Sequence, residues 1–163
     1  MNILITGVPG TGKTEIAKAL AKAVRLKVIN DKVFAKKNNL GKEKIIDSSK
    51  EYVVDLKKFN AAFKSKKQKA IYEGHLWSEL SKDNLSSFDY IFVLKASKKL
   101  LIERQKKRKY PDIKIIENIF CQDTNYIPNL LKEKNISFKI INADNNLENN
   151  IKKIMVKIKW LEH

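Results

Sequence analysis

Apolar positions along this chain fall into two patterns, short continuous runs and helical stripes. Residues 2–6 form a short apolar run closed by Gly7, which reads as a buried strand entering a loop. Ile16, Ala17, Leu20, Ala21 and Val24 then recur at helical spacing, so the loop opens a helix of about three turns. Residues 26–30 read as a second strand. Residues 70–73, 90–94 and 136–141 are further near-continuous apolar runs of strand length, as expected where a parallel sheet is covered on both faces. Ser97 is placed to cap a helix over residues 100–109, Pro111 allows a new start at Asp112, and residues 147–160 close the chain as a basic amphipathic helix. Pro128 is expected to kink or divide the long helical stretch before it. Residues 31–69 are lysine-rich, with short apolar clusters only at 45–46 and 52–56, and read as a helical excursion. Strands alternating with helices predict a three-layer α/β fold around a central parallel sheet.

Composition narrows the class. A length of 163 residues fits one domain. With 43% hydrophobic and 32% charged residues, the chain has material for a packed interior under a heavily solvated surface. Its apolar runs stop well short of the ~20 residues that a bilayer span requires, and the first six residues carry no basic leader, so the expectation is a cytoplasmic protein without a membrane partner. Cys121 is the only cysteine, which excludes an internal disulfide, and its helical surroundings read as those of a packed, inert thiol. The net charge of +16 favours polyanions such as RNA and draws nucleotides toward the surface. Only three of the 34 basic residues are arginine, however, and a composition rich in Lys, Asn and Ile yields the same charge with no RNA role; both readings stand. Leu161, Glu162 and His163 read equally as native sequence or as the start of a purification tag, and His163 is assigned no function.

Three features carry candidate chemistry. Gly7-Val8-Pro9-Gly10-Thr11-Gly12-Lys13-Thr14 matches G-x-x-x-x-G-K-[ST], in which glycines let backbone N–H groups wrap phosphate oxygens at a helix N-terminus. Lys13 is placed to reach the β- and γ-phosphates, and the Thr14 hydroxyl to take one position on Mg²⁺. The motif follows a strand and opens a helix, the context it requires. Next, Tyr72-Glu73-Gly74-His75 ends an apolar strand, where ligand sites of open α/β sheets gather. Glu73 is a candidate for holding magnesium or its water, with His75 two residues on; a helix-capping or merely buried imidazole is the alternative for His75. Finally, Arg104 and Arg108 stand four apart on one helical face in a chain that otherwise uses lysine. Their planar forks suit phosphate, and the alternative is a solvated face paired with Glu103 or Asp112.

These residues, together with 26–30, Tyr52-Val53-Val54-Asp55, Leu76, Phe92-Val93-Leu94, Glu103, Tyr110 and Glu117-Asn118, resemble adenylate kinase isoenzyme 6, a small nucleotide kinase family of archaea and eukaryotic nuclei. The likeness covers nearly the whole chain. It implies a single P-loop kinase domain of the nucleoside monophosphate kinase type over residues 1–163, with an acceptor subdomain near 30–53 and a short lid near 103–113. It further implies ATP on Gly10, Thr11, Gly12, Lys13, Thr14 and Glu15 with Arg104 above the phosphates, Arg108 beside it, and Glu73 and His75 in the family's acidic and histidine positions. Lys36 and Val54 fall toward the acceptor, and Thr14 and Glu73 toward Mg²⁺. The implied reaction converts ATP and AMP to two ADP. Lys36 stands where the family often has arginine, Lys109 where the lid usually has glycine, and Gln122 where an acidic residue is usual. Family members also act as ATPases in maturation of the small ribosomal subunit, bound to a ribosomal protein near immature ribosomal RNA. That role is the competing expectation, and a small-metabolite kinase on the same core is the third.

Overall fold

A computed structural model of the chain describes residues 1–46 and 48–159. Strand β1 (Ile3–Thr6) leads through the glycine-rich loop into α1 (Lys13–Val24), whose Ile16, Ala17, Leu20 and Ala21 are buried. β2 (Lys27–Asn30) passes directly into α2 (Asp31–Lys37), because the Asn30 side chain accepts the Val33 N–H and caps the helix. An antiparallel hairpin of β3 (Gly41–Ile46) and β4 (Ser49–Val54) follows, and then α3 (Leu56–Lys66), capped by Asp55. β5 (Ala70–Glu73) leads into a 3₁₀ turn (Leu76–Glu79) and the short α4 (Lys82–Leu85). β6 (Tyr90–Lys95), α5 (Lys98–Lys107), α6 (Asp112–Asp123), α7 (Tyr126–Glu133), β7 (Lys139–Asn142) and α8 (Leu147–Lys159) complete the chain.

The main sheet is parallel throughout, in the order β2-β5-β1-β6-β7. Side chains of successive strand residues point to opposite faces, so each inner strand feeds two cores. Ile3, Ile5, Ile71, Phe92 and Leu94 pack against α1 and α8. Leu4, Tyr72, Ile91 and Val93 face the other way, onto Phe59 and Phe63 of α3, Trp77, and Ile127 and Leu131 of α7. The three layers expected from the sequence are therefore present. Trp77 is fully buried at 4.7 Å from the Phe59 ring and donates its indole N–H to the Glu73 carbonyl, tying this aromatic core to the strand tip that ends in Glu73.

Local structure departs from the sequence reading in three places. The helical excursion over 31–69 is broken by the hairpin, because the short apolar clusters are β-branched and aromatic residues that fit a pleated ribbon. Gly41 permits the close pairing: a Cβ there would stand 2.2 Å from the Val53 carbonyl oxygen. Next, the strand expected over 136–141 starts three residues later and runs one residue further, as Lys139–Asn142 paired with β6. Finally, Pro128 neither kinks nor divides a helix. It lies in the first turn of α7, where its missing N–H has no intrahelical partner to lose, and the division falls at Asn125, whose φ of 54° is left-handed. Ser97 caps α5 as expected, accepting the Leu100 N–H. Trp160, the expected end of the last helix, and His163 lie outside the described residues. Among the described residues, no helix is long and apolar enough to cross a membrane.

Candidate active site

The loop from Gly7 to Thr14 sits at the C-terminal edge of the sheet, between β1 and α1. Gly7 has a φ of 147°, and a Cβ on it would come within 2.6 Å of the Leu94 carbonyl oxygen, so the loop must leave the strand through glycine. Gly12, at a φ of 87°, starts α1. The Val8 carbonyl accepts from the buried Thr11 hydroxyl and from the Lys13 ammonium, both at 2.9 Å. The Gln105 side-chain amide donates to the Pro9 carbonyl at 3.0 Å, and the Arg104 guanidinium to the Gly10 carbonyl at 2.9 Å. With these carbonyls tied to side-chain donors and α1 starting at Gly12 without a side-chain cap, the loop offers a helix N-terminus whose free backbone N–H groups suit an anion.

Sheet register places Asn30 beside Glu73. The Asn30 amide donates to a Glu73 carboxylate oxygen at 2.6 Å, and the Thr14 hydroxyl lies 3.4 Å from both oxygens of that carboxylate. Glu73 is buried and Thr14 exposed at the mouth, so the pair expected from the sequence does converge. Among the described residues, no three His, Cys, Asp or Glu side chains gather as a metal cage. A divalent cation here would have a hydroxyl and a carboxylate from the protein, leaving its remaining positions to phosphate and water, a donor set that suits Mg²⁺.

Charges crowd this edge. Part of the Lys13 side chain reaches solvent, but its ammonium lies low in the loop, and burial pushes its pKa down to about 8. Asp31 and Glu73 act against that shift, while Arg108 and Lys32 add to it. His75 has its pKa pushed down to about 4, by burial first and then by Lys13 and Lys32; its side chain makes no capping hydrogen bond, so it stands as a neutral, largely enclosed imidazole. Asp31 was not singled out by the sequence, yet it is 2% exposed beside this cluster and accepts the Leu76 N–H at 2.8 Å and the Lys32 N–H at 2.7 Å. Burial raises its pKa against those two hydrogen bonds and the Lys13 charge. The signal for it was its place immediately after a strand tip.

The two arginines separate. Arg104 crosses to the glycine-rich loop, whereas Arg108 is exposed at the end of α5, and among the described residues neither forms an ion pair with Glu103 or Asp112. Glu15 is exposed in the first turn of α1. Lys36 is exposed with its ammonium 5.6 Å from the centre of the Tyr52 ring, and Val54 packs against the core at the end of β4, so both belong to the hairpin region rather than the loop. Gln122 brackets Ala96, donating to its carbonyl at 2.7 Å and accepting its N–H at 3.1 Å, a pairing that an ionised carboxylate could not complete. Cys121 is half-buried against Val8.

A family model described as an AAA domain matches residues 3–125. A protein of Methanocaldococcus jannaschii named "Putative adenylate kinase" is 34% identical over 162 residues, covering 98% of this chain and 86% of that one. The chain belongs to the archaeal-type small adenylate kinase-like family of P-loop proteins. It is a phosphotransferase by that membership. A Pyrococcus abyssi member of this kinase family with the same name is also 34% identical, over 73% of this chain and 62% of its own length. The kinase fold recurs in solved structures. A shikimate kinase from Aquifex aeolicus superposes with a TM-score of 0.60 at 14% identity, covering 99% of this chain and 98% of that one. A deoxyadenosine kinase from M. mycoides superposes with a TM-score of 0.60 at 17% identity, covering 98% of this chain and 100% of that one.

Proposed function

We propose that the protein transfers the γ-phosphoryl group of ATP to a nucleoside monophosphate, AMP, forming two ADP. The observation that carries the reading is the convergence of Lys13, Thr14 and Glu73 at the sheet edge, with Arg104 reaching the same loop from α5. Backbone N–H groups of residues 10–14 would cradle the β-phosphate, and Lys13 would exchange the Val8 carbonyl for the β- and γ-phosphates. Arg104 would leave the Gly10 carbonyl to grip the moving phosphoryl group with its planar fork, with Arg108 adding charge from the rim. Thr14 and Glu73 would hold Mg²⁺, which supplies charge neutralisation on the β- and γ-oxygens when bound.

An oxygen of the AMP phosphate forms the new bond to the γ-phosphorus as the bond to the β–γ bridging oxygen breaks, its electron pair leaving with ADP. The attacking phosphate is already anionic, so no side chain has to take a proton from it. Glu73 and the neutral His75 then serve to order metal and water rather than to act as a base. Residues 30–53, including Lys36, form the acceptor arm in this reading, with Val54 at its edge, and 103–113 the lid. The test follows ADP formation with and without AMP: AMP should accelerate ATP consumption and yield two ADP per ATP. Hydrolysis of ATP that ignores AMP would instead favour an ATPase of ribosomal subunit assembly, a setting that suits the +16 charge.

A further inference from the structure

The Gln105 side chain is fully buried between the glycine-rich loop and α6, a position where leucine would fill similar space without an amide to satisfy. Both ends of the amide are used. Its N–H donates to the Pro9 carbonyl at 3.0 Å, and its oxygen accepts the Asn118 side-chain N–H at 2.8 Å. The Pro9 carbonyl can only accept, so the orientation of Gln105, and in turn that of Asn118, is set by the loop. Gly10 packs on the same side chain: a Cβ there would lie 3.3 Å from Gln105 Cγ.

A trans peptide points its C=O and N–H in opposite directions, and no peptide bond of the described chain is cis. Holding the Pro9 carbonyl on Gln105 therefore turns the Gly10 N–H the opposite way, away from the Gln105 amide and free for a phosphate oxygen. The carbonyls of Val8 and Gly10 are held in part by Lys13 and Arg104, cations for which an arriving phosphate is a rival acceptor. Gln105 is neutral and has no such rival. We infer that Gln105, oriented by Asn118, is a positioning residue that keeps the Pro9–Gly10 peptide turned for phosphate binding when Lys13 and Arg104 move to the ligand. Because Gln105 lies on α5 and Asn118 on α6, the pair also ties both helices flanking residues 108–111 to the loop.

The inference rests on ATP as the ligand of the loop, and its comparison between ligands on AMP as the acceptor, so ATP binding is measured directly by titration calorimetry, beginning with the wild type. Gln105→Leu should raise the Kd for ATP by roughly tenfold, as expected for one well-formed hydrogen bond lost in a preorganised site, and leave the Kd for AMP within about twofold. Asn118→Ser should shift ATP binding the same way by less, and the double variant should be no worse than Gln105→Leu, since Asn118 acts through Gln105. A purely structural role would lower Tm without separating the two ligands. A folded Gln105→Leu protein that binds ATP like the wild type, or weakens ATP and AMP equally, overturns the inference. Should Gln105→Leu not fold, unchanged ATP binding in Asn118→Ser overturns it alone, and a wild-type protein that binds no ATP overturns this inference and the proposed function together.

Discussion

Burial pushes the Lys13 ammonium down to about 8, which still leaves it charged at neutral pH and poorly solvated, a combination that makes a phosphate a welcome partner. Lys13→Ala should lower kcat/KM for ATP by roughly a hundredfold or more with the fold intact by circular dichroism; turnover like the wild type would remove Lys13 from the chemistry. Arg104→Lys preserves charge but loses the fork, and kcat should fall by roughly tenfold. An unchanged kcat would leave Arg104 as a loop tether and no more. His75 gives a pH signature. Its folded pKa of about 4 lies below the ordinary 6.5, so between those values the unfolded chain binds more protons. The stability held by a neutral His75 is present above pH 6.5 and lost as pH falls toward 4. Urea unfolding of His75→Gln should show a shallower acid decline than the wild type over that window, and parallel curves would refute the assignment.

At the scale of elements, turns decide where these side chains point. Gly74 follows Glu73 with a φ of 132°, and a Cβ on it would stand 2.1 Å from the Asp31 carboxyl carbon. Gly74→Ala should therefore destabilise the protein by roughly 2 kcal/mol or more and displace Glu73, seen as a lower Tm together with lost turnover. Lys109 sits at a φ of 57° in the turn between α5 and α6, the left-handed region that disfavours a side chain. This explains physically why glycine suits the position, and Lys109→Gly should raise stability by about 0.5–1 kcal/mol in urea unfolding. A loss of stability would mean that the Lys109 side chain contributes contacts outweighing the strain. The strand, loop and helix from β1 to α1 were legible because glycine spacing, the apolar run and the 3.6-residue stripe all agree locally. The hairpin over residues 41–54 was not, since an exposed strand β3 paired with a half-buried β4, each of six residues, carries too few apolar positions for a period to emerge.

For the whole molecule, the +16 charge should produce weak, sequence-independent RNA binding that falls steeply with salt, because phosphate contacts release counterions and carry no base information. A salt titration against a structured ribosomal RNA fragment and an unrelated RNA of equal length checks this; preference for the ribosomal fragment that survives high salt would contradict it. The sequence by itself determined the phosphate loop, the strand that ends in Glu73 and the three-layer class, since each depends on residues adjacent in the chain. Only the tertiary structure decided that Asn30 joins Thr14 at Glu73, that Arg104 hydrogen-bonds the loop while Arg108 acts on Lys13 by charge alone, and that Asp31, Gln105 and Asn118 belong to the site. Sheet order brings Asn30 and Glu73 together across 43 residues, and the packing of α5 brings Arg104 to Gly10 across 94. Contacts over such separations depend on which elements become neighbours, and a local pattern of apolar and polar positions carries no record of that.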